Sequence, residues 1–155
     1  AIKLISSACG KNGMVYGQFL DIENESKKIN KEVIENIHSL KTGKLIECSV
    51  MLGQIGNNKS QQTEILLKFS KKIGLAFQIT DDILEVTSDE ETIGKNIDSD
   101  SKNKKSTYIN VLGIDAAIKR SKELCESAIL DISVLKIKEA DMLRDLAKYI
   151  TYREK

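Results

Sequence analysis

The 155-residue chain has no proline, no tryptophan, one histidine, three cysteines and only 5% aromatic residues. Proline is the residue that most strongly interrupts a helix, so its absence favours long helices joined by short turns. Cys9, Cys48 and Cys125 lie far apart, without C-x-x-C spacing and without a neighbouring histidine to complete a zinc site. An odd, dispersed set fits buried free thiols in a reducing cytoplasm rather than a disulfide framework. No apolar run approaches the roughly 18 residues of a membrane span. A net charge of +1 gives no electrostatic reason to expect nucleic acid or an anionic membrane as partner. With 41% hydrophobic and 30% charged residues, the composition is that of a single globular domain spanning residues 1–155.

The periodicity is helical nearly throughout, and no strand-like alternation stands out. It predicts helices over 1–20, 31–55, 61–86, 108–132 and 138–154, with a further break near "GKNG". Gly10, Gly13 and Gly17 weaken the first helix by roughly 1 kcal/mol each against alanine, so they mark a break or a close helix contact. Between 87 and 106 lies a polar Asp/Ser/Lys/Asn-rich connection with one glycine, Gly94. Loops longer than about 12–15 residues are commonly functional or disordered. Six or so helices with short turns and one long loop make an all-α bundle.

The third helix carries an anomaly. Wound at about 100° per residue, its segment "GLAFQITDDILEV" puts Gly74, Gln78, Asp81, Asp82 and Glu85 on one stripe, and nearly everything else is apolar. A helix apolar almost all round is buried, so its narrow acidic edge is expected to face an internal cavity. Three carboxylates near a helix C-terminus meet the negative end of the macrodipole and one another, two unfavourable terms of roughly 0.3–1 kcal/mol each. A hard divalent cation removes the problem, and Mg²⁺ typically joins one or two carboxylates to a substrate phosphate. The spacing alone serves equally well for an acidic helix end in solvent.

The neighbouring segments separate the two. "GLAFQITDDILEV" followed by "TIGKNIDSDSKNKKSTY" resembles the second aspartate-rich region of the trans-polyprenyl diphosphate synthases, and the bacterial farnesyl and geranylgeranyl enzymes are the most similar group. "GMVYGQFLDIENE" and "IHSLKTGKLIECSVMLG" resemble the G-G-Q-x-x-D and K-T-G segments of that family, in the same order. The resemblance implies the isoprenoid synthase fold. It also implies a reaction in which an allylic diphosphate ionises with Mg²⁺ assistance, is attacked by the double bond of isopentenyl diphosphate and loses a proton. It gives Asp81, Asp82, Glu85 and Asp100 metal roles, with Asp82 acting through water or from behind the direct ligands and Glu85 standing where the family has Asp. Lys95, Lys105, Gln18 and Asp21 fall at diphosphate-binding positions. Lys41, Thr42 and Gln78 fall beside the incipient allylic cation. Farnesyl diphosphate is the implied product, a homodimer the implied assembly and the cytoplasm the implied compartment.

Blander readings exist for each feature. The lysines of the 87–106 loop suit plain solvated charge. Asp98 and Asp100 fail as an EF-hand, because Lys102, Asn103 and Ile109 stand where that loop needs other residues. His38 is expected to be structural, and the three cysteines to lie in the core. The DDxxD motif that comes first in the family is absent, so the chain is expected to be the C-terminal half of a synthase about twice as long, inactive by itself. The competing readings are a non-catalytic partner subunit and a helical interaction module without a site.

Overall fold

The computed structural model describes residues 1–56, 60–92, 107–135 and 139–153, and among these every regular element is helical. The predicted helix over 1–20 is two helices, α1 (Ile2–Cys9) and α2 (Met14–Glu23). The turn between them requires glycine, since a Cβ on Gly13 falls 1.9 Å from the Ala8 carbonyl oxygen. The predicted helix over 31–55 is α3 (Lys31–His38), a π-helical turn (Ser39–Gly43) and α4 (Lys44–Leu52). Its start is set by Asn30, whose side chain accepts a 3.0 Å bond from the Val33 amide, an N-cap that satisfies one orphan donor of the first turn.

The central helix α5 (Ser60–Thr92) continues past the predicted end at residue 86. Residues 87–92 hold neither Gly nor Pro, and the first such stop signal is Gly94. The Thr87 hydroxyl bonds back to the Ile83 carbonyl at 3.0 Å, so it does not compete for the helix's own amides. The predicted helix over 108–132 is divided at Gly113 (φ +84°) into α6 (Tyr108–Leu112) and α7 (Ile114–Ser133). The chain closes with α8 (Glu139–Tyr152).

The middle of α5 is buried, as its composition predicts, and two apolar cores form along it. In one, Leu66, Phe69 and Ile73 meet Cys125, Ala128 and Ile132 of α7 and Ala147 and Ile150 of α8. In the other, Leu75, Ala76 and Ile79 meet Ile34, Tyr108, Ala117 and Leu124. Ala76, Ala117, Ala128 and Ala147 have no exposed surface, and such small residues let helix axes approach. Polar ties fix the register of α5 on α7. Lys72 reaches the Ser127 hydroxyl (2.8 Å) and Asp131 (2.5 Å), and the Thr80 and Ser121 hydroxyls pair at 2.9 Å in a buried setting. Cys48 and Cys125 are buried as expected, whereas Cys9 is only part-buried at the end of α1.

Candidate functional site

Two glycine contacts bring the motif-bearing elements together. A Cβ on Gly17 of α2 would lie 2.3 Å from the Lys41 backbone nitrogen, and one on Gly74 of α5 would lie 2.8 Å from the Gly43 Cα. The π turn is thereby held between α2 and α5 at backbone distance. It presents Lys41 and Thr42 to side chains that regular α-helical winding alone would not align. A π turn inserts one extra residue into a helix and is frequent at functional sites.

Lys41 Nζ donates to Asp21 Oδ2 of α2 at 2.6 Å, and Thr42 Oγ1 donates to Gln78 Oε1 of α5 at 2.7 Å. Asp82 lies one turn further along α5 from Gln78. Of the residues predicted to form the site, Asp21 and Lys41 are thus joined, as are Thr42 and Gln78. Gln18 lies exposed on α2, one turn before Asp21, and Glu85 lies exposed one turn after Asp81. Lys95, Asp100 and Lys105 fall outside the described residues.

The adjacent aspartates point differently. The Asp81 side chain is 39% exposed, and its Oδ1 is met by a guanidinium nitrogen of Arg153, just beyond α8. Arg153 also lies over the Phe77 ring, with Cζ 4.4 Å from the centroid, a cation–π geometry. Burial pushes the Asp81 carboxyl above its usual range; Arg153 opposes this and Glu85 reinforces it. Asp82 is buried, and its Oδ2 accepts the Tyr108 backbone N–H at 2.7 Å. Burial pushes Asp82 up to about 6, against the hydrogen bonds from Tyr108 and Gln78 and with the repulsion of Glu85 and Asp81.

His38, immediately before the π turn, places Nε2 3.5 Å from Asp82 Oδ2. Burial pulls this histidine down to about 4, so at neutral pH the contact is between a neutral imidazole and a carboxyl and is no ion pair. The structural role expected of His38 fits this position. Behind it, the Tyr108 hydroxyl donates to Glu35 Oε1 at 3.0 Å, and Arg120 Nε donates to the same oxygen at 3.0 Å. Burial, then the Glu35 carboxylate, pushes the Tyr108 phenol up to about 12.

The donors suit a hard divalent cation. Asp81 and Glu85 offer carboxylate oxygens from successive turns, and a cationic group, the Arg153 guanidinium, already sits on Asp81. No cluster of three His, Cys, Asp or Glu side chains able to hold a metal occurs among the described residues. Mg²⁺ usually takes only one or two carboxylates and completes its shell with water and phosphate.

Arg153, Tyr108, Glu35 and Arg120 are absent from the expected set. One signal was available for two of them. The chain has only three arginines, at 120, 144 and 153, among 24 basic residues. Arginine in a lysine-rich chain marks places where a planar fork is needed, and Arg120 and Arg153 both meet carboxylates at part-buried positions.

Residues 1–144 match the polyprenyl synthetase family. The farnesyl diphosphate synthase of Micrococcus luteus is 42% identical over 158 residues, covering 99% of this chain and 53% of the relative. That of Escherichia coli K12 is 39% identical over 99% of this chain and 53% of its own length. This chain therefore spans about half the length of these curated relatives. Among solved structures, the Helicobacter pylori geranyltransferase complexed with magnesium and isoprenyl diphosphate superposes with a TM-score of 0.78 at 33% identity, over 96% of this chain and 49% of that one. The geranylgeranyl pyrophosphate synthetase of Pyrococcus horikoshii gives 0.83 at 28% identity, over 99% of this chain and 58% of that one. A likeness of this extent has one meaning: the chain belongs to the polyprenyl synthetase family.

Proposed function

We propose that this chain supplies one half of the active site of a trans-prenyltransferase, which joins isopentenyl diphosphate to an allylic diphosphate such as dimethylallyl or geranyl diphosphate. Farnesyl diphosphate is the proposed product, since the curated relatives named above are farnesyl diphosphate synthases. The observation that carries the reading is the meeting of three motif segments at one place, through Lys41–Asp21 and Thr42–Gln78. Residues 1–155 form the C-terminal half of the synthase domain in this reading, and the assembly is a homodimer in the cytoplasm.

Each side chain has a task that follows from its chemistry. Asp81 and Glu85 would hold Mg²⁺, with Asp82 behind them, and Asp100 would supply a further carboxylate. Mg²⁺, when bound, neutralises the negative charge that builds on the departing diphosphate. Lys95 and Lys105 bind the same diphosphate, and Gln18 and Asp21 line the approach to it. Lys41 places a fixed positive charge near the leaving group, held in position by Asp21. The Thr42 hydroxyl and the Gln78 amide turn neutral dipoles towards the carbon that becomes cationic, stabilising charge without offering a nucleophile strong enough to trap it.

A chimera tests the reading: this chain replaces the segment it matches in the Micrococcus luteus enzyme. With labelled isopentenyl diphosphate and geranyl diphosphate, the chimera is expected to form a farnesyl product that depends on Asp81. A folded chimera without activity, beside an active parent, would falsify the proposal.

A further inference from the structure

The two adjacent aspartates of α5 differ in what surrounds them. Asp81 is part-exposed and engaged by a guanidinium, the kind of partner a cation can replace. Asp82 is 6% exposed, and its Oδ2 is engaged by a backbone amide that no ligand replaces without undoing the fold. The Asp82 side chain is 8% exposed and one of its oxygens already accepts an internal amide at 2.7 Å, so a cation arriving from solvent meets the 39% exposed Asp81 side chain more readily.

Tyr108, the residue that owns this amide, is held at both ends. Its N–H is bound to α5 through Asp82, and its hydroxyl is bound to Glu35 of α3, which Arg120 of α7 also grips. Its ring stacks on His38 at 6.2 Å between centroids, and His38 in turn faces Asp82. His38 is the last residue of α3 before the π turn carrying Lys41 and Thr42. The junction of Asp82, Tyr108 and His38 therefore spans the two elements whose spacing defines the site. One element is the α5 edge with Asp81, and the other is the π turn.

We propose that Asp82 is a positioning residue: its carboxylate ties the Tyr108 amide to α5 and so sets the distance between Asp81 and the Lys41–Thr42 turn, leaving ligand contact to Asp81. The role in catalysis rests on the prenyltransferase reading, but the tie itself does not. Its test needs no substrate, so a failure here and a failure of that reading are separable.

The experiment is nuclear magnetic resonance and amide exchange on this chain as wild type, Asp82→Asn and Asp82→Ala. Asparagine keeps a carbonyl oxygen where Oδ2 stands, whereas alanine keeps no acceptor. In Asp82→Ala, Tyr108 amide exchange is expected to rise at least about tenfold while Leu124 and Ala128 of α7 stay protected, and the Lys41 and Thr42 amide resonances should shift. Asp82→Asn should hold Tyr108 exchange within about threefold of wild type and leave the Lys41 and Thr42 resonances in place. Unchanged Tyr108 exchange in Asp82→Ala, or equal acceleration in both variants, overturns the proposal. Should Asp82→Ala fail to fold, the Tyr108 amide proton decides. Bonded to a carboxylate it lies downfield in wild type, and it is expected to move upfield in Asp82→Asn. An amide proton indifferent to that exchange overturns the tie.

Discussion

At the scale of single residues, the site depends on an atom that is missing. Gly74 faces Gly43, and an added Cβ would come within 2.8 Å of the opposing Cα, backbone against backbone. Alanine there gains up to about 1 kcal/mol of helix propensity but forces α5 and the π turn apart, with a typical overpacking cost of about 1–3 kcal/mol. Gly74→Ala is expected to be destabilising on balance, as measured by urea denaturation, and to break the Thr42–Gln78 bond. Asp81→Asn should behave in the opposite way. Its ion pair with Arg153 is part-exposed, so stability should change by no more than about 1 kcal/mol. Affinity for Mn²⁺ with pyrophosphate, followed by calorimetry on the chimera, should fall by more than about tenfold, since even outer partners of a metal are worth that much. Asp81, Gln78, Lys41 and Thr42 were legible from motif segments that carry their own spacing. Arg153 was not, because it reaches Asp81 across 72 positions and lies in no periodic pattern. Only the scarcity of arginine pointed to it.

At the scale of elements, hydrophobic periodicity located the helices but was blind to their interruptions. The π turn at Ser39–Gly43 adds one residue to an otherwise continuous apolar pattern, with Ile34 before it in one core and Val50 and Met51 after it packed on the other. The division at Gly113 is equally invisible to periodicity, although the glycine itself is a stop signal. Gly113 has φ +84° and ψ 159°, a region open essentially to glycine alone, and closes α6 while opening α7. A Cβ added there meets nothing within 4 Å, so any cost of Gly113→Ala comes from the backbone and not from crowding. That cost is expected to be about 1–3 kcal/mol, read as a lower midpoint in chemical denaturation. Tyr108, five residues earlier, should lose amide protection before the α5–α7 core does, because α6 is short and depends on its two ends being held. The opposite order of exchange would place the weak point elsewhere.

For the whole molecule, the all-α class followed from composition and period, whereas the extent of buried surface did not. Two stripes of large apolar residues remain exposed. Val15, Phe19 and Ile22 recur along α2, and Met142, Leu146 and Tyr149 recur along α8. Both have the spacing of a helix face made to be covered, and together they exceed the scattered exposure normal for a monomer. Met142, at 77% exposed, is the clearest case. Alone in solution, the 17.3 kDa chain is therefore expected to associate, with a light-scattering mass of at least two copies. Phe19→Glu and Met142→Glu, on separate stripes, should each lower that mass if their stripe is the one covered, and a monodisperse wild-type monomer would refute the expectation. Association should not bring activity. Asp81 and Asp82 are the only adjacent aspartates in the sequence, so two copies bring two examples of the same acidic edge. With labelled isopentenyl diphosphate and geranyl diphosphate, the associated chain is expected to give no product above background, while the chimera does. Product from the chain alone would mean that two copies of one acidic edge suffice to hold the diphosphate, and the division of the site into unlike halves would have to be abandoned.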